Sequence, residues 1–200
     1  MDKHHLHWFT VEVETHTSAA LSAYELIEQM LANKNSLQSR EIWFLVQSFL
    51  THTAMVSKML APNHKEQKYR GSLLREHLSI QDNSPILPRD ARDNLEHIDE
   101  RVNRWVKDRK NGFVAMVFHD RIGFNFICQP DTAVSRVLIA DEMVFITEDK
   151  FGKRTEINLK TISESLEILL KSCRHKLQTE SPYQYLLAQA LRNYQPQKSQ

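Results

Sequence analysis

The sequence predicts a mainly helical α+β fold, in which an up-and-down helical bundle is followed by a short antiparallel β meander in the second half. Two observations predict it. Apolar residues recur every three or four positions over most of the first 110 residues, which is the period of an amphipathic helix. Between residues 113 and 159 the character changes to short runs of β-branched and aromatic residues separated by turn residues.

Length and composition favour a single domain. The chain has 200 residues, of which 41% are hydrophobic and 26% are charged. A chain of this size buries roughly 70% of the surface that its unfolded form exposes. We therefore expect one domain over residues 1–200, with a helical core over 10–110, the meander over 113–159 and C-terminal helices over 160–194.

Four helices are predicted before the meander, because glycines and prolines fall where the helical period breaks and so mark the ends of elements. Residues 8–13, at the start of the first helix, could also be extended. Gly71 is expected to interrupt the third helix, since glycine costs about 1 kcal/mol relative to alanine in a helix interior. The predicted helices run from about Val11 to Ala32, from Ser39 to Pro62, from His64 to Ile80 and from Ala91 to just before Asn111.

The meander is predicted from five short apolar segments, with hairpin turns at Gly123 and Gly152. After it, apolar residues at helical spacing around Leu166 predict a helix, and Ser181 followed by Pro182 predicts the start of a last one. The predicted strands are Phe113–Phe118, Phe124–Cys128, Val134–Ile139, Met143–Thr147 and Thr155–Leu159.

Composition excludes several classes of function. A formal net charge of +1 gives no global cationic field, so any contact with nucleic acid must use a local patch. The two cysteines, Cys128 and Cys173, have no metal-ligand spacing and are expected to be buried thiols, which fits a reducing compartment. No secretory signal and no run of 18 apolar residues is seen, so we expect a cytoplasmic protein that does not enter a membrane.

Missing motifs exclude further chemistry. The sequence has no glycine-rich phosphate loop, no dinucleotide fingerprint, no HExxH or GxSxG motif and no paired-cysteine zinc pattern. We therefore expect neither a cofactor nor a bound metal. The histidines His4, His5 and His7 are predicted to belong to a disordered terminal tail rather than to a metal site.

One segment has the residue types of a catalytic site. It follows Pro88 and contains Arg92 and His97 with four residues between them, at the start of the predicted fourth helix. The same spacing, in its six-residue form, recurs at Arg70 and His77. The first pair is singled out by its position after a proline-containing loop and by the string Arg-Asp-Asn-Leu-Glu-His-Ile-Asp-Glu-Arg.

This segment resembles the Arg-x4-to-6-His motif of HEPN domains, which are helical bundles that include many endoribonucleases. The resemblance covers residues 10–110 and the last helices, and not the meander. It implies a homodimer whose Arg92 and His97 flank a cleft and cleave RNA without a metal, the ribose 2′-hydroxyl being the internal nucleophile. Asp93 occupies the place of the polar residue that often follows the arginine. An imidazole transfers protons near neutral pH, and a guanidinium holds phosphate through a fixed fork of donors.

Helix geometry favours a site made by two copies. At about 100° per residue, Arg92 lies near +100° and His97 near −120° from a core stripe centred on Ala91, so the two side chains point apart within one helix. The stripe continues through Leu95, Ile98, Val102 and Trp105.

Two alternatives stay open from the sequence. Arg92 with Glu96 and Asp93 with His97 are also i,i+4 pairs of a solvated charged helix face. Arg101, Arg104 and Lys107 could bind RNA phosphates or could complement the helix dipole. The competing function is a non-catalytic helical module that binds a protein partner.

Overall fold

The structure is a computed structural model of the 200-residue chain, and it describes residues 1–32, 40–88, 102–103, 106–107, 113–129, 132–149, 151–181 and 183. The predicted mainly helical α+β class is confirmed. The elements with described ends are α1 (Lys3–Ala32), α2 (Arg40–Leu60), α3 (Lys65–His77), β1 (Phe113–Phe118), α4 (Arg121–Ile127), β2 (Ala133–Ile139), β3 (Val144–Glu148), β4 (Arg154–Asn158) and α5 (Leu159–Thr179).

The helix α1 is the centre of the helical layer and packs against both α2 and α5. Its buried positions recur every three or four residues, which gives one continuous stripe. Contacts with α2 run in opposite directions along the two helices, because His16 meets His52 and Tyr24 meets Phe49. The pair is therefore antiparallel, as the up-and-down prediction requires. The buried stripe of α1 consists of Thr10, Val13, Thr17, Ala20, Ala23, Tyr24 and Ile27.

The start of α1 differs from the prediction. The helix begins at Lys3, and the Asp2 carboxylate accepts a hydrogen bond of 2.9 Å from the backbone N–H of His5. A side-chain acceptor at this position satisfies one of the free N–H groups of the first turn. The prediction of a disordered tail for His4, His5 and His7 was wrong, and so was the extended alternative for residues 8–13.

Gly71 does not interrupt α3, which is continuous from Lys65 to His77. The glycine is buried where α3 crosses the end of α2, and a Cβ at this position would lie 2.5 Å from Cδ of Pro62 and 2.7 Å from the carbonyl oxygen of Leu60. The glycine is therefore required by the close approach of two backbones, not by a break in the helix.

The sheet has the order β1-β2-β3-β4. Its β2–β3 and β3–β4 pairs are antiparallel, and Gly152, with φ of 83°, lies in the second hairpin as predicted. The β1–β2 pair is parallel, so the prediction of a wholly antiparallel meander was wrong. Parallel neighbours need a crossover connection, which is usually helical.

The crossover is α4, which contains most of the segment predicted as the strand Phe124–Cys128 and also Gly123, which was predicted as a hairpin turn. The cause is local: the Asp120 carboxylate caps the helix by accepting the backbone N–H of Gly123 at 2.8 Å. In so short a run, the periodicity of the apolar residues cannot distinguish a strand from a helix.

Two arginines hold the α4 crossover in place. At its start, Arg121 donates at 2.6 Å to Glu142 and at 2.6 Å to Glu156. This contact lowers the pKa of the Glu142 carboxyl. At its end, Arg154 of β4 donates to the backbone carbonyls of Cys128, Gln129 and Thr132.

Alternate residues of the strands enter two separate apolar clusters. Leu138 and Phe145 pack with the helical layer, whereas Ile139 and Ile146 pack with Phe124 of α4. A sheet covered on both faces has strands that are apolar at nearly every position. This explains the continuous apolar runs in this half of the sequence.

The C-terminal part agrees with the prediction as far as it is described. The helix α5 spans Leu159–Thr179 and is capped by Asn158, whose side chain accepts the backbone N–H of Thr161. The start of the predicted last helix is represented by Ser181 and Tyr183 alone. Cys128 and Cys173 are buried, as expected. None of the helices within the described ranges is long and apolar enough to cross a membrane.

Candidate functional site

The predicted catalytic residues Arg92, Asp93 and His97 lie outside the described residues, and so do Arg101 and Arg104 of the predicted RNA contacts. The third predicted RNA contact, Lys107, is described: it is helical and exposed. Val102, which was predicted to continue the core stripe, is also helical but exposed, so the prediction of a buried Val102 was wrong.

The loop that leads into the Arg92–His97 segment is attached to α2. Ser57 of α2 is buried and donates its hydroxyl to the carbonyl of Leu87 at 3.0 Å. The carbonyl of Pro88 lies 3.4 Å from the same hydroxyl. Ile86 of this loop is fully buried in the main core. The chain therefore enters the segment from a fixed point on the helical layer.

A small pocket of about 200 Å³ lies beside this point, between α2, the loop and the junction of β4 with α5. Thr53 on its wall is only 2% exposed, and its hydroxyl has no hydrogen-bond partner among the residues that the structure describes. A buried hydroxyl without a partner costs free energy.

A larger cleft of about 530 Å³ lies between the first turns of α1, the end of α3 and the end of α5. Its polar wall is formed by Lys3 and His7 of α1, His77 of α3, and Lys176 and Glu180 at the end of α5. The cleft has the size of a typical small-molecule site.

One carboxylate lies between two basic groups on this wall. Glu180 accepts a hydrogen bond of 2.6 Å from the Lys176 ammonium, which lowers the pKa of the Glu180 carboxyl. Its other oxygen is 3.8 Å from Nδ1 of His77. Burial, and after it the charge of Lys176, lowers the pKa of the His77 imidazole. The lowered pKa favours the neutral imidazole of His77, which can accept a proton or a hydrogen bond.

Aromatic rings surround His7, which lines the cleft. The ring of Tyr183 has its centroid 5.0 Å from that of His7 and 6.1 Å from that of Trp8. The Tyr183 hydroxyl lies 3.1 Å from Nδ1 of His4. Trp8 is 56% exposed, which leaves much of its ring accessible to solvent.

Arg70 and His77 form the second occurrence of the Arg–His spacing. Arg70 lies two turns before His77 on the same face of α3. Its guanidinium lies 4.6 Å above the ring of Phe9, and its Nε is buried with no hydrogen-bond partner in the described part of the chain. A separation of seven residues puts the two side chains about 10 Å apart along the helix. Arg70 and His77 therefore face the same helix, α1, without meeting.

Sequence reasoning missed this cleft, because its residues come from three helices that are far apart in the sequence. The available signal was the spacing of Lys3, His7 and Thr10, which places all three residues on one helix face. The histidines at the start of α1 were assigned to a tail instead.

A pair of histidines joins α1 to α2 further along the layer. Nδ1 of His16 lies 2.8 Å from Nδ1 of His52. Burial, and after it the neighbouring His16, lowers the pKa of His52. A direct contact between the rings requires that at least one imidazole be neutral.

Exposed apolar side chains occur on α4 and in the β3–β4 hairpin. Ile122 and Phe126 of α4 are 81% and 84% exposed, and Phe151 in the β3–β4 hairpin is 81% exposed. Ile122 and Phe126 are four residues apart and so lie on one face of the helix. Large apolar side chains exposed together are typical of surfaces that bind other proteins.

No group of three or more histidine, cysteine or carboxylate side chains suited to a metal ion occurs in the part of the chain that the structure describes. Comparisons with protein-family models, with curated proteins and with solved structures found no match.

Proposed function

We propose that this chain is a HEPN-like RNA-directed protein, a metal-independent endoribonuclease in which Arg92 binds the scissile phosphate and His97 transfers a proton. The observation that carries the proposal is the Arg-Asp-Asn-Leu-Glu-His string that follows the loop attached to α2 by Ser57. The helical layer of α1, α2, α3 and α5 supports it, because the family that the string resembles is built as a helical bundle.

The proposed reaction needs the RNA, two side chains and a water molecule. The ribose 2′-oxygen attacks the adjacent phosphorus while the bond from phosphorus to the 5′-oxygen breaks. A base removes the 2′-hydroxyl proton and an acid protonates the departing 5′-oxygen. His97 takes one of these proton transfers, water takes the other, and Arg92 stabilises the phosphorane charge. The products are a 2′,3′-cyclic phosphate and a 5′-hydroxyl.

The proposed partner of the site is a second copy of the chain. Within one helix the Arg92 and His97 side chains point apart, so the arginine of one copy would work with the histidine of the other. Asp93 would orient one of these groups. Arg101, Arg104 and the exposed Lys107 would bind the phosphates beyond the scissile one.

Substitution tests the assignment. We expect Arg92→Ala and His97→Ala each to lower the rate of RNA cleavage by about 10²–10⁴-fold while leaving thermal stability nearly unchanged. Matched controls are Arg40→Ala and His64→Ala, since both residues are exposed, Arg40 at the start of α2 and His64 just before α3. A purified protein that cleaves RNA equally well with and without Arg92 and His97 would show that the assignment is wrong.

A second candidate function, a protein-interaction module, is favoured by the exposed side chains of Ile122, Phe126 and Phe151. Under this alternative, Phe126→Ser abolishes binding to a protein partner that the wild-type chain retains. The control is Phe44→Ser, because Phe44 is a comparably exposed phenylalanine, 72% accessible, on α2. Equal loss of partner binding in both variants would remove the specific role of this surface.

A further inference from the structure

We propose that the cleft between α1, α3 and α5 binds a small molecule that carries a phosphate monoester, with the phosphate oxygens among Lys3, His77 and Lys176. The proposal does not depend on the RNA-directed function, and it uses no residue of the Arg92–His97 segment. Every group that it assigns to the ligand lines the cleft itself.

Basic side chains reach the cleft from all three helices. Glu180 is the one carboxylate among the described lining residues, so cationic groups are in excess there. The whole chain, by contrast, has 26 basic and 25 acidic residues. An excess of positive charge inside a concave surface attracts anions. The basic lining residues are Lys3 and His7 in the first turns of α1, His77 in the last turn of α3 and Lys176 in the last turn of α5.

Lys3 is the cation of this group that lacks a compensating charge. The adjacent Asp2 is engaged with His5, whose backbone N–H and ring Nδ1 it contacts at 2.9 Å and 2.8 Å. Lys3 itself forms no ion pair with any carboxylate that the structure describes. A lysine in a first turn also meets the partial positive charge of the helix start, which is unfavourable. Helix stability therefore does not explain a lysine here, whereas an anionic ligand does.

The opposite wall of the cleft already holds an anionic group. Glu180 accepts a hydrogen bond of 2.6 Å from Lys176, and its other oxygen lies 3.8 Å from Nδ1 of His77. An ammonium has three donors, and Glu180 is the only described acceptor of the Lys176 ammonium. Nε2 of His77 has no hydrogen bond to a described residue. The remaining donors of Lys176 and Nε2 of His77 are therefore available to the oxygens of a ligand.

The size and lining of the cleft favour a phosphate with an organic portion. The volume of about 530 Å³ lies within the usual range of small-molecule sites. Leu6 and Leu177 contribute apolar surface, and the Ser181 hydroxyl accepts the backbone N–H of Tyr183, which leaves the hydroxyl proton free to donate. A phosphate monoester has about −1.5 to −2 charge and three free oxygens, so it can bind several separate donors at once. A carboxylate has one charge and two oxygens.

A bound phosphate should raise the pKa of His77. In the free protein, burial and after it the charge of Lys176 lower this pKa. An anion beside the ring favours the imidazolium, so binding takes up a proton and the affinity should increase as pH falls from about 8 to 7. The other titratable groups of the described wall are Lys3, His7, Lys176 and Glu180. Lysine and glutamate side chains do not ordinarily titrate in this range, and His7→Gln tests the remaining histidine.

The test titrates the full-length protein with phenyl phosphate at low ionic strength and follows the ring C–H signals of the histidines by NMR. We expect a Kd of about 1 mM or tighter. Inorganic phosphate, which lacks an apolar portion, and benzoate, which has only one charge, should each bind at least about fivefold more weakly. The His77 signal, identified by its absence in His77→Gln, should shift and show the raised pKa. A His77 signal and pKa that saturating phenyl phosphate leaves unchanged would overturn the proposal.

Lys3→Glu separates binding from folding. The change should weaken the binding of phenyl phosphate by about tenfold or more, because it replaces a cation by an anion beside the phosphate. Tm should stay equal or rise, since a glutamate in the first turn complements the helix dipole. The matched control is Lys171→Glu, which makes the same charge change at an exposed position of α5 outside the described lining and should alter the Kd by less than about twofold. Wild-type affinity in Lys3→Glu, or an equal loss in both variants, would overturn the site.

A 5′-phosphorylated tetraadenylate distinguishes a small molecule from the end of an RNA strand, which carries the same phosphate monoester. We expect phenyl phosphate alone to shift the His77 signal, and the shift to be lost in Lys3→Glu. A His77 shift that the phosphorylated RNA produces and phenyl phosphate does not would overturn the small-molecule form of the proposal.

Discussion

Gly71→Ala should destabilise the protein although alanine is the better helix former. In an open helix the change would stabilise by about 1 kcal/mol. Here the new Cβ would lie 2.5 Å from Cδ of Pro62 and 2.7 Å from the carbonyl oxygen of Leu60. Neither atom can move easily, because Pro62 is buried and the Leu60 carbonyl accepts a hydrogen bond of 2.6 Å from Arg75. Overpacking of this kind costs roughly 1–3 kcal/mol, and a contact this short belongs at or above the upper end.

The expected net loss is therefore about 2 kcal/mol, or about 4–8 °C in Tm for a chain of this size. Urea denaturation followed by circular dichroism measures it, with Gln67→Ala, an exposed position of α3, as the control that should stay within about 0.5 kcal/mol of wild type. In a Pro62→Ala background the cost of Gly71→Ala should fall, since the nearest atom is gone. A Gly71→Ala protein as stable as wild type would refute the close-approach explanation.

Three further predictions concern folding energetics and assembly. The free energy of unfolding should fall as pH is lowered from 7 to 5. The pKa of His52 is lower in the folded protein than in the unfolded chain, so the unfolded chain binds more protons in this pH range. In urea titrations, His52→Gln should make the free energy of unfolding depend less on pH. Arg154→Ala should cost about 2 kcal/mol in thermal denaturation, and Arg154→Lys should recover little, because one ammonium cannot reach three carbonyls. Mixing the Arg92→Ala protein with the His97→Ala protein should restore up to about a quarter of the wild-type rate of RNA cleavage if each site uses residues of two copies. The composite site would be contradicted if mixing restored no cleavage, or if light scattering showed that the protein is a monomer.

The helical part of the fold could be predicted because burial follows the helix period directly. The stripe of α1 and the apolar face of α2 are visible in the sequence, and the core residues Ile27 and Phe49 lie on them. The exact start of α1 was missed, since its first turns are polar and histidine-rich. Only the position of Asp2 as a capping residue signals that the helix begins there.

The presence of a sheet could be predicted from the sequence, but the direction in which its strands pair could not. Strand direction depends on how the connection between two strands packs, and no residue type in β1 or β2 reports it. The α4 crossover is a seven-residue helix that contains Gly123 and a short run rich in apolar residues, a pattern that a hairpin turn and strand share. The Asp120 cap of Gly123 is the local feature that favours the helix.

The two candidate sites also differ in how far the sequence alone can predict them. The Arg92–His97 segment is contiguous, so its residue types and spacing can be found in the sequence. The cleft depends on packing, because His7, His77 and Lys176 meet only when α1, α3 and α5 are assembled.

The most direct test of the proposed function is the rate at which purified wild-type protein cleaves a labelled single-stranded RNA in excess EDTA, with the product ends analysed. Metal-independent cleavage that leaves a 2′,3′-cyclic phosphate and a 5′-hydroxyl, and that falls by about 10²–10⁴-fold in Arg92→Ala and in His97→Ala, is the predicted result. Wild-type cleavage no faster than that of a mock purification, or cleavage unchanged by both substitutions, would contradict the account.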